Sequence, residues 1–379
     1  MEGLPPIPTM SLCMIVRDEQ DTLGRCLESV AGVFDEIVIV DTGSNDATKD
    51  VATRWGARVF DFAWIDDFAA ARNFAFAQGS SELLMWLDAD DVLLPTDREK
   101  LLALKADLDP RIDAVSMVYH TQFDAAGNVT SSNRRFRIVR RDKDVSWAGI
   151  VHEDLVFAGQ FTYLDTDIVV THRKPDTDSG PSRRNLTILE NHIAAGRQLR
   201  PVDVFNYARE LEMHKQFDRA IPFYQQFIDD ETQDLHIRTF ALHKQASCYF
   251  MSGQPDKEWE CTLRSLELDT PRPEFACRVA ERFLARNQFR QAAFWYELAL
   301  TIPVSAVPNL WSIESYPFQT WVPHKQLGLC YYQLGDYVRS LKSNQAAQAY
   351  RSDDPDIATN IRVLEDLLNA AAAQAARAN

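Results

Sequence analysis

A short apolar run that ends abruptly in three acids constrains this chain more than any other stretch of its sequence. Residues 83–87 read Leu-Leu-Met-Trp-Leu, and Asp88, Asp90 and Asp91 follow at once. Such a run is typical of a strand buried on both faces of a parallel sheet, and open α/β sheets bind ligands at the carboxyl ends of these strands. Carboxylates spaced i and i+2 can hold a divalent cation, which in turn can hold a diphosphate. The alternative is that the acids cap the helix that follows Pro95.

The first 140 residues alternate β-branched, apolar runs with segments whose apolar residues recur at helical spacing. The predicted strands cover 12–16, 37–40, 57–60 and 83–87, and the predicted helices cover 21–31, 45–56 and 68–78. A turn-like stretch at 124–128 separates two further runs, 115–123 and 129–139, which predict a hairpin. This order predicts an α/β domain with a mostly parallel sheet and right-handed crossovers.

From residue 182 onward the pattern is helical and weakly repetitive. Corresponding turns begin near Gln216, Gln254, Gln288 and Gly335, and the second and third lie 34 residues apart, which is the period of tetratricopeptide repeats. The other spacings are longer, so insertions interrupt the array, notably around residues 303–323. We therefore expect a sheet domain over 9–178 and a helical repeat domain over 182–370. The helices serve either to dock a peptide or partner or only to brace the sheet domain.

Charge and composition exclude several classes of protein. The net charge of −15 argues against binding to nucleic acid, and no apolar run approaches the roughly 18 residues that span a bilayer. The first residues have neither a basic start nor an apolar core, so no secretion signal is expected. The six scattered cysteines form no C-x-x-C pair, which predicts buried free thiols, no zinc site and a cytoplasmic location. They are Cys13, Cys26, Cys248, Cys261, Cys277 and Cys330.

Polar residues follow the first two predicted strands, just as the acidic run follows the fourth. Arg17 and Glu19 come after the first strand, and a stretch over 41–46 that contains Asp41 and Ser44 comes after the second. A carboxylate at a strand end can accept a hydrogen bond from a ribose or a base, and small residues let a ligand approach the backbone. An ordinary helix-capping loop at 41–46 is an equal alternative.

Two more clusters add a cation and acids to the same predicted edge. Arg72 and Asn73 lie on the helix just before the acidic strand, where they can approach a diphosphate; a surface arginine is the alternative. Downstream, residues 147–154 contain Glu153 and Asp154, which can act as a general base. Sugar transfer requires this combination of a metal that stabilises a leaving diphosphate and a carboxylate that takes the acceptor's proton.

At this point the sequence resembles glycosyltransferase family 2. The matching segments are 11–17, 40–46, 71–73, 86–90 and 149–153. It is most similar to the branch that joins a GT-A catalytic domain to C-terminal tetratricopeptide-like helices, which includes the bacteriocin peptide S-glycosyltransferases of the sublancin class. The resemblance covers about residues 9–175 well and the helical half loosely. It implies a GT-A, Rossmann-like sheet domain followed by an all-α repeat domain.

The resemblance also implies roles for individual residues. Asp41 binds the uracil or ribose of a UDP-sugar, and Arg72 and Asn73 lie close to the nucleotide. Asp88 and Asp90 form the DXD pair for Mn²⁺ or Mg²⁺, with Asp90 as the direct ligand. The remaining residues implied in donor or metal binding are Arg17, Glu19, Ser44, Ala89 and His172. An ordinary loop histidine is the alternative for His172.

For the catalytic base, the resemblance points to Glu153 or Asp154 and slightly favours Glu153. A basic strand precedes this region and contains Arg134, Arg135 and Arg137. Since side chains alternate along a strand, Arg135 and Arg137 share a face and can meet phosphates or the acceptor if that face lines the site.

The leading hypothesis is an inverting, metal-dependent hexosyltransferase that uses a UDP-sugar donor. Its acceptor is a peptide or protein side chain, Cys or Ser, or alternatively a cell-envelope glycan or lipopolysaccharide core. A non-catalytic repeat adaptor with a vestigial sheet domain is a hypothesis of another class. A nucleotidyltransferase is disfavoured because no glycine follows the first strand. A homodimer through Trp311, Tyr316, Phe318 and Trp321 is weighed against packing of these aromatic residues within the chain, which is favoured.

Overall fold

The computed structural model describes residues 7–124, 127–173, 182–303 and 314–378. The chain divides into two compact units. Among the described residues, the first comprises 7–121, 133–173 and 182–230, and the second comprises 122–124, 127–132, 231–303 and 314–378. The first unit therefore contains most of the large sheet together with the first three helices of the helical half. The predicted domain boundary at 178–182 falls mostly outside the described residues and stays a prediction.

A large sheet with the order β3-β2-β1-β4-β7-β6-β10-β5 organises the first unit. The pairings β1–β2, β2–β3 and β1–β4 are parallel, which confirms the predicted β-α-β crossovers. The strands are β1 (Met10–Val16), β2 (Glu36–Asp41), β3 (Arg58–Asp61), β4 (Leu83–Met85), β5 (Asp91–Leu93), β6 (Ala114–Phe123), β7 (Val129–Arg140), β8 (Val145–Ala148), β9 (Asp154–Phe157) and β10 (Tyr163–His172). The predicted hairpin is β6–β7; residues 125–126 of its turn lie outside the described part. The fold class is therefore α/β, as predicted.

Helices connect the parallel strands and cover the sheet. They are α1 (Leu23–Ser29), α2 (Thr48–Arg54), α3 (Phe68–Gln78) and α4 (Pro95–Ala106). Asp67 caps α3, because its side chain accepts a hydrogen bond from the backbone N–H of Ala70 at 2.8 Å. Burial on both faces of the parallel strands agrees with their continuous apolar sequences: Met14 and Leu12 belong to one hydrophobic cluster, and Cys13 belongs to the other. The strands can therefore carry polar groups only at their ends.

The acidic run forms the connection between β4 and β5. The backbone N–H of Asp91 donates to the carbonyl of Asp88 at 3.0 Å, which closes a tight turn. The chain then enters β5, which pairs antiparallel with β10. The helix-cap alternative is wrong, because Leu94 is the N-cap of α4 and no side chain caps that helix. The turn brings the acids to the carboxyl end of β4.

The helical half consists of helix pairs joined by tight turns. Four of these turns contain a residue in the left-handed region: Lys215, Gly253, Asn287 and Gly335, with φ of 58°, 69°, 58° and 78°. Each lies at, or one residue before, a turn that the sequence predicts. The helices are α5 (Arg184–Ala194), α6 (Pro201–Met213), α7 (Phe217–Asp229), α8 (Leu235–Met251), α9 (Pro255–Leu268), α10 (Pro273–Leu284), α11 (Phe289–Thr301), α12 (Trp321–Gln333), α13 (Tyr337–Tyr350) and α14 (Pro355–Ala378). A short strand, β11 (Glu314–Ser315), pairs with Ser131 and Ser132 of β7.

Several expectations from composition can be compared with the described residues. All six cysteines are free and buried, as predicted. Across the described residues, no helix combines the length and apolar character that a membrane span requires. Of the aromatic residues considered for a dimer, Phe318 packs 5.5 Å from the His243 ring and Arg351 lies over the Trp321 ring, which favours packing within the chain. Trp311 lies outside the described residues.

Candidate active site

A cavity of about 400 Å³ opens in the first unit, at the carboxyl ends of β1, β2 and β4. Two-thirds of the predicted site residues line it, although they come from distant parts of the sequence. They are Arg17, Glu19, Arg72, Asp88, Ala89, Asp90, Glu153 and His172. Acids, cations and aromatic rings thus converge at the edge where open α/β sheets bind ligands.

The guanidinium of Arg72 joins two of the predicted site carboxylates. Its Nη2 donates to Asp88 Oδ1 at 2.7 Å, and its Nε donates to Glu153. Its Cζ lies 4.7 Å and 4.9 Å from the ring centroids of Trp86 and Trp147, so the cation lies against two indoles that contact each other edge to face. Burial raises the pKa of Asp88, but the nearby guanidinium groups outweigh this effect and hold the pKa below its ordinary value. Asp88 is therefore an ionised partner of Arg72 at neutral pH.

Asp90, Asp91 and His172 form a cluster of atoms that can bind metal. One such atom from each residue lies within 4.8 Å of the others. His172 Nδ1 is 3.3 Å from Asp90 Oδ1 and 3.4 Å from Asp91 Oδ1. Carboxylate oxygens are the ligands that Mg²⁺ and Mn²⁺ prefer, and imidazole is a ligand for many divalent transition metals. These residues therefore fit a divalent cation.

Asp91 is the member of this cluster that hydrogen bonds from buried groups hold in place. Its side chain is fully buried, and Oδ1 accepts a hydrogen bond from the Tyr119 hydroxyl at 2.9 Å. Oδ2 accepts from Arg137 Nη1 and from the backbone N–H of Asp88, each at 3.1 Å. Because Asp90 and His172 line the cavity and Asp91 does not, they are the members of the cluster that can meet a ligand.

The charge of His172 predicts a pH dependence of the metal-free protein. Burial lowers the pKa of His172, but Asp90 and Asp91 outweigh it and raise the pKa to about 9 from the ordinary 6.5. Since the folded-state pKa is the higher one, this stabilisation is complete below pH 6.5 and is lost as pH rises through about 9. In excess chelator, the melting temperature should therefore fall between these values more steeply for wild type than for His172→Gln. Parallel melting profiles for the two proteins would contradict this assignment.

Arg17 and Glu19 are predicted site residues from the same edge of the sheet. Both follow β1 and line the cavity. Burial raises the pKa of Glu19, and the charges of Asp90 and Asp88 add to this effect although a hydrogen bond from Thr22 opposes it. The acids of this edge therefore repel one another in the absence of a cation, as expected for a site that binds one.

Asp41 and Ser44 organise the edge from behind the cavity lining. Asp41 is buried at the end of β2, and its Oδ1 accepts hydrogen bonds from the backbone N–H groups of Gly43 and Ser44, each at 2.9 Å. Its Oδ2 is buried without a hydrogen-bond partner in the described part of the chain. Ser44 Oγ accepts from the backbone N–H of Asp18 at 2.9 Å. Asp41 orders the loop with Oδ1, as the capping-loop interpretation expects. It leaves Oδ2 unpaired, as the ligand-binding interpretation allows.

Asn73 and Asp154 do not line the cavity. The Asn73 amide holds the backbone of Trp147, donating to its carbonyl at 2.9 Å and accepting from its N–H at 2.8 Å. Asp154, whose side chain is half exposed, accepts a hydrogen bond from Arg135. Asn73 therefore holds β8, the strand that precedes Glu153, in place. Of the two adjacent acids, Glu153 faces the cavity and Asp154 does not.

The expectation that Arg135 and Arg137 both face phosphates or the acceptor is wrong for Arg137. Arg135 lines the cavity, whereas Arg137 is fully buried, with its Cζ 3.8 Å from the Trp86 ring centroid and 4.3 Å from that of Tyr119. The two residues share a strand face by their spacing, but aromatic rings cover Arg137.

Sequence reasoning missed five residues that line the cavity: Trp64, Phe68, Tyr119, Arg184 and Asn185. Arg184 lies with its Cζ 4.9 Å from the Phe68 ring centroid. Arg184 and Asn185 begin α5, beyond the segments on which the resemblance rests. The pair of arginines at 183–184 after His172 was a signal that could have been used.

Comparison with known proteins identifies the segment that contributes most of the residues lining this cavity. Residues 11–157 match the family described as "Glycosyl transferase family 2". The chain is 40% identical over 144 residues to a TPR repeat-containing protein of Synechococcus elongatus, covering 38% of this chain and 34% of that protein. It is 26% identical over 239 residues to the SPbeta prophage-derived glycosyltransferase SunS of Bacillus subtilis, covering 59% of this chain and 54% of SunS.

A third relative is named for a different role. The lipopolysaccharide core biosynthesis glycosyltransferase LpsC of Rhizobium meliloti is 31% identical over 166 residues, covering 41% of this chain and 60% of LpsC. Among solved structures, glucosyl-3-phosphoglycerate synthase of Mycobacterium tuberculosis aligns over 51% of this chain and 80% of that chain, with 16% identity and a TM-score of 0.35. The matches span between about a third and three fifths of the curated relatives' lengths. Residues 11–157 of this chain belong to glycosyl transferase family 2.

Proposed function

We propose that this protein is an inverting, metal-dependent glycosyltransferase that moves a hexose from a UDP-sugar to an acceptor. The observation that carries the proposal is the convergence on one cavity of Asp90 and His172, which can hold a cation, with Glu153, which can take a proton. These three residues are far apart in the sequence, so the fold brings them together. Helix caps or surface ion pairs would not require them to meet in one cavity.

The cavity's residues match the electron flow of a single displacement. The acceptor's oxygen or sulfur attacks the anomeric carbon, and its proton passes to Glu153. The bond between that carbon and the diphosphate oxygen breaks, and the electron pair leaves with UDP. Attack opposite to the leaving group inverts the anomeric centre. Arg17 and Arg72 supply positive charge for the anion that forms.

Asp90 and His172 would hold the cation, Mn²⁺ or Mg²⁺, which when bound supplies positive charge to the diphosphate. Asp88 contributes by orienting Arg72, whose other partner is Glu153. The unpaired Oδ2 of Asp41 is available to accept a hydrogen bond from the uracil or ribose. Ala89 lets the backbone approach the donor between the two acids.

Turnover of donor sugars by wild type and Asp90→Ala tests this function. We expect UDP release from one member of a panel of UDP-, GDP- and dTDP-sugars with Mn²⁺ or Mg²⁺. Asp90→Ala should lower that release by about 10²-fold or more, because several kcal/mol of charge stabilisation is lost. Asp142→Ala, which removes an exposed acid after β7, is the matched control and should behave as wild type.

Two outcomes would refute the proposal. The first is equal metal-stimulated turnover by Asp90→Ala and wild type. The second is that no sugar nucleotide binds in the presence of Mn²⁺, a result that favours the non-catalytic adaptor. Titration calorimetry with UDP and Mn²⁺ measures that binding without needing an acceptor.

For the acceptor, we favour a peptide or protein side chain, Cys or Ser. The support is the series of helix pairs after the sheet, since repeats of helix pairs commonly bind peptides or partner proteins. The similarity to LpsC supports the alternative, a lipopolysaccharide core or other envelope glycan. Incubation with the labelled donor and either Cys- and Ser-containing peptides or core oligosaccharide distinguishes them, because mass spectrometry shows which acceptor gains a hexose.

A further inference from the structure

The loop that carries Glu153 has an unusual backbone. It joins β8 to β9, and within it Gly149 has φ of 135° and His152 has φ of 54°. His152 directly precedes Glu153, so its left-handed conformation sets the direction in which Glu153 leaves the backbone. A residue other than glycine keeps this conformation only where surrounding contacts stabilise it.

The contacts that stabilise this loop come from α6, outside the matched family segment. Asp203, Asn206 and Glu210 recur at helical spacing on one face of α6. They are buried, with exposures of 2%, 4% and 2%. Polar side chains are rarely this buried unless they are paired, so their partners are informative.

Each of the three side chains binds a different residue of the loop. Asp203 Oδ1 accepts a hydrogen bond from the backbone N–H of Ile150 at 3.3 Å, and Asn206 Nδ2 donates to the carbonyl of Val151 at 3.3 Å. Glu210 Oε1 lies 2.8 Å from His152 Nε2. The face of α6 thus follows the loop residue by residue up to the one that precedes Glu153.

Two further features fit the same arrangement. Asn185 Nδ2, in α5, donates to Glu210 Oε1 at 3.3 Å, which links Glu210 to a residue that lines the cavity. A Cβ at Gly149 would lie 2.9 Å from an Arg200 nitrogen and 3.0 Å from Glu153 Cα. A side chain at position 149 is therefore disfavoured by the positive φ and by the nearby Glu153 backbone, whereas the tip of Arg200 can move.

We propose that the polar face of α6 (Asp203, Asn206 and Glu210) positions the loop that presents Glu153 to the acceptor. This inference rests on the proposed function, because it assigns these residues to the same reaction. They are positioning residues, since they act through the loop. The catalytic unit accordingly extends past residue 157 to include α6.

Substitution of Glu210 tests the inference, and Glu212 provides the control. Glu210→Ala removes the partner of His152, whereas Glu212→Ala removes a glutamate of the same helix that accepts a hydrogen bond from Tyr224. We expect Glu210→Ala to lower kcat for UDP release by about 10²-fold, the loss that a displacement of about 1 Å can cause. Binding of UDP with Mn²⁺ should change less than about twofold, and Glu210→Gln should recover most of the activity.

Hydrogen exchange of the loop amides separates positioning from general damage. Exchange at residues 150–153 should accelerate in Glu210→Ala and stay unchanged in Glu212→Ala. If Glu210→Ala does not fold, Asn206→Ala provides the same comparison. Wild-type kcat in Glu210→Ala, or in Asn206→Ala where it replaces that variant, would overturn the inference, and so would an equal loss in Glu212→Ala. If wild type itself neither binds UDP nor releases it, the proposed function fails, whereas unchanged loop exchange in Glu210→Ala refutes the positioning alone.

Discussion

Glu153→Gln is expected to lower transfer of the sugar by about 10²- to 10⁴-fold, the range that a positioned general base contributes. The substitution keeps the size of the side chain and its ability to accept the hydrogen bond from Arg72 Nε. It removes the basic oxygen that the acceptor's proton requires. UDP binding in the presence of Mn²⁺ should therefore remain close to that of wild type. Single-turnover measurements with saturating donor separate the chemical step from binding.

Asp154→Asn is the matched control for Glu153→Gln. The two residues are adjacent acids, and each accepts a hydrogen bond from an arginine. Glu153 lines the cavity and its side chain is 7% exposed, whereas Asp154 is 49% exposed and lies outside the lining. Asp154→Asn should consequently retain most of the wild-type rate. The opposite ranking of the two variants would identify Asp154 as the base.

Arg137→Met is expected to destabilise the first unit by about 3–5 kcal/mol, because it removes the guanidinium paired with the fully buried Asp91 carboxylate. Arg137 and Asp91 are both fully buried, and Nη1 lies 3.1 Å from Asp91 Oδ2. Arg137 is also stacked against the rings of Trp86 and Tyr119. The measurement is the free energy of unfolding in urea, followed by the fluorescence of the buried tryptophans.

The double variant Arg137→Met/Asp91→Asn controls for the loss of packing. It removes both charges, so it should recover much of the stability that Arg137→Met loses, and the coupling energy of the cycle should exceed about 1 kcal/mol. Additive effects of the two substitutions would show that the rings, and not the ion pair, account for the loss. Since Asp91 supports the metal cluster, the double variant should bind Mn²⁺ more weakly even where its stability is restored.

Local signals explain why much of the sheet could be predicted. The helix predicted over 68–78 matches α3, because Asp67 caps its start and Gly79 follows its end. The strand predicted over 83–87 ends earlier, at Met85, although Trp86 still binds β7: its backbone N–H donates to the Arg137 carbonyl at 3.2 Å and its ring N–H to the Phe136 carbonyl at 2.7 Å. Apolar character alone does not distinguish such a residue from one that continues a strand.

Local sequence signals could not predict which charged side chains pair with one another at the site. The sequence predicted Arg72, Asp88 and Glu153 as site residues, yet not that one guanidinium would bind both acids, because this depends on how α3 packs against β4 and β8. Burial separated Arg137 from Arg135 although both lie on the same strand face. Arg184 was missed because its contribution depends on the path of the chain between His172 and α5.

The association of α5–α7 with the sheet in one compact unit has a consequence for how such proteins can be recombined. The family match covers residues 11–157 and so ends before these helices begin. A chimera joined directly after residue 157 would separate the loop over 149–153 from the helix that binds it. A junction near residue 230 would keep these partners together. The unit that such a chimera must keep intact is therefore larger than the matched family segment over residues 11–157.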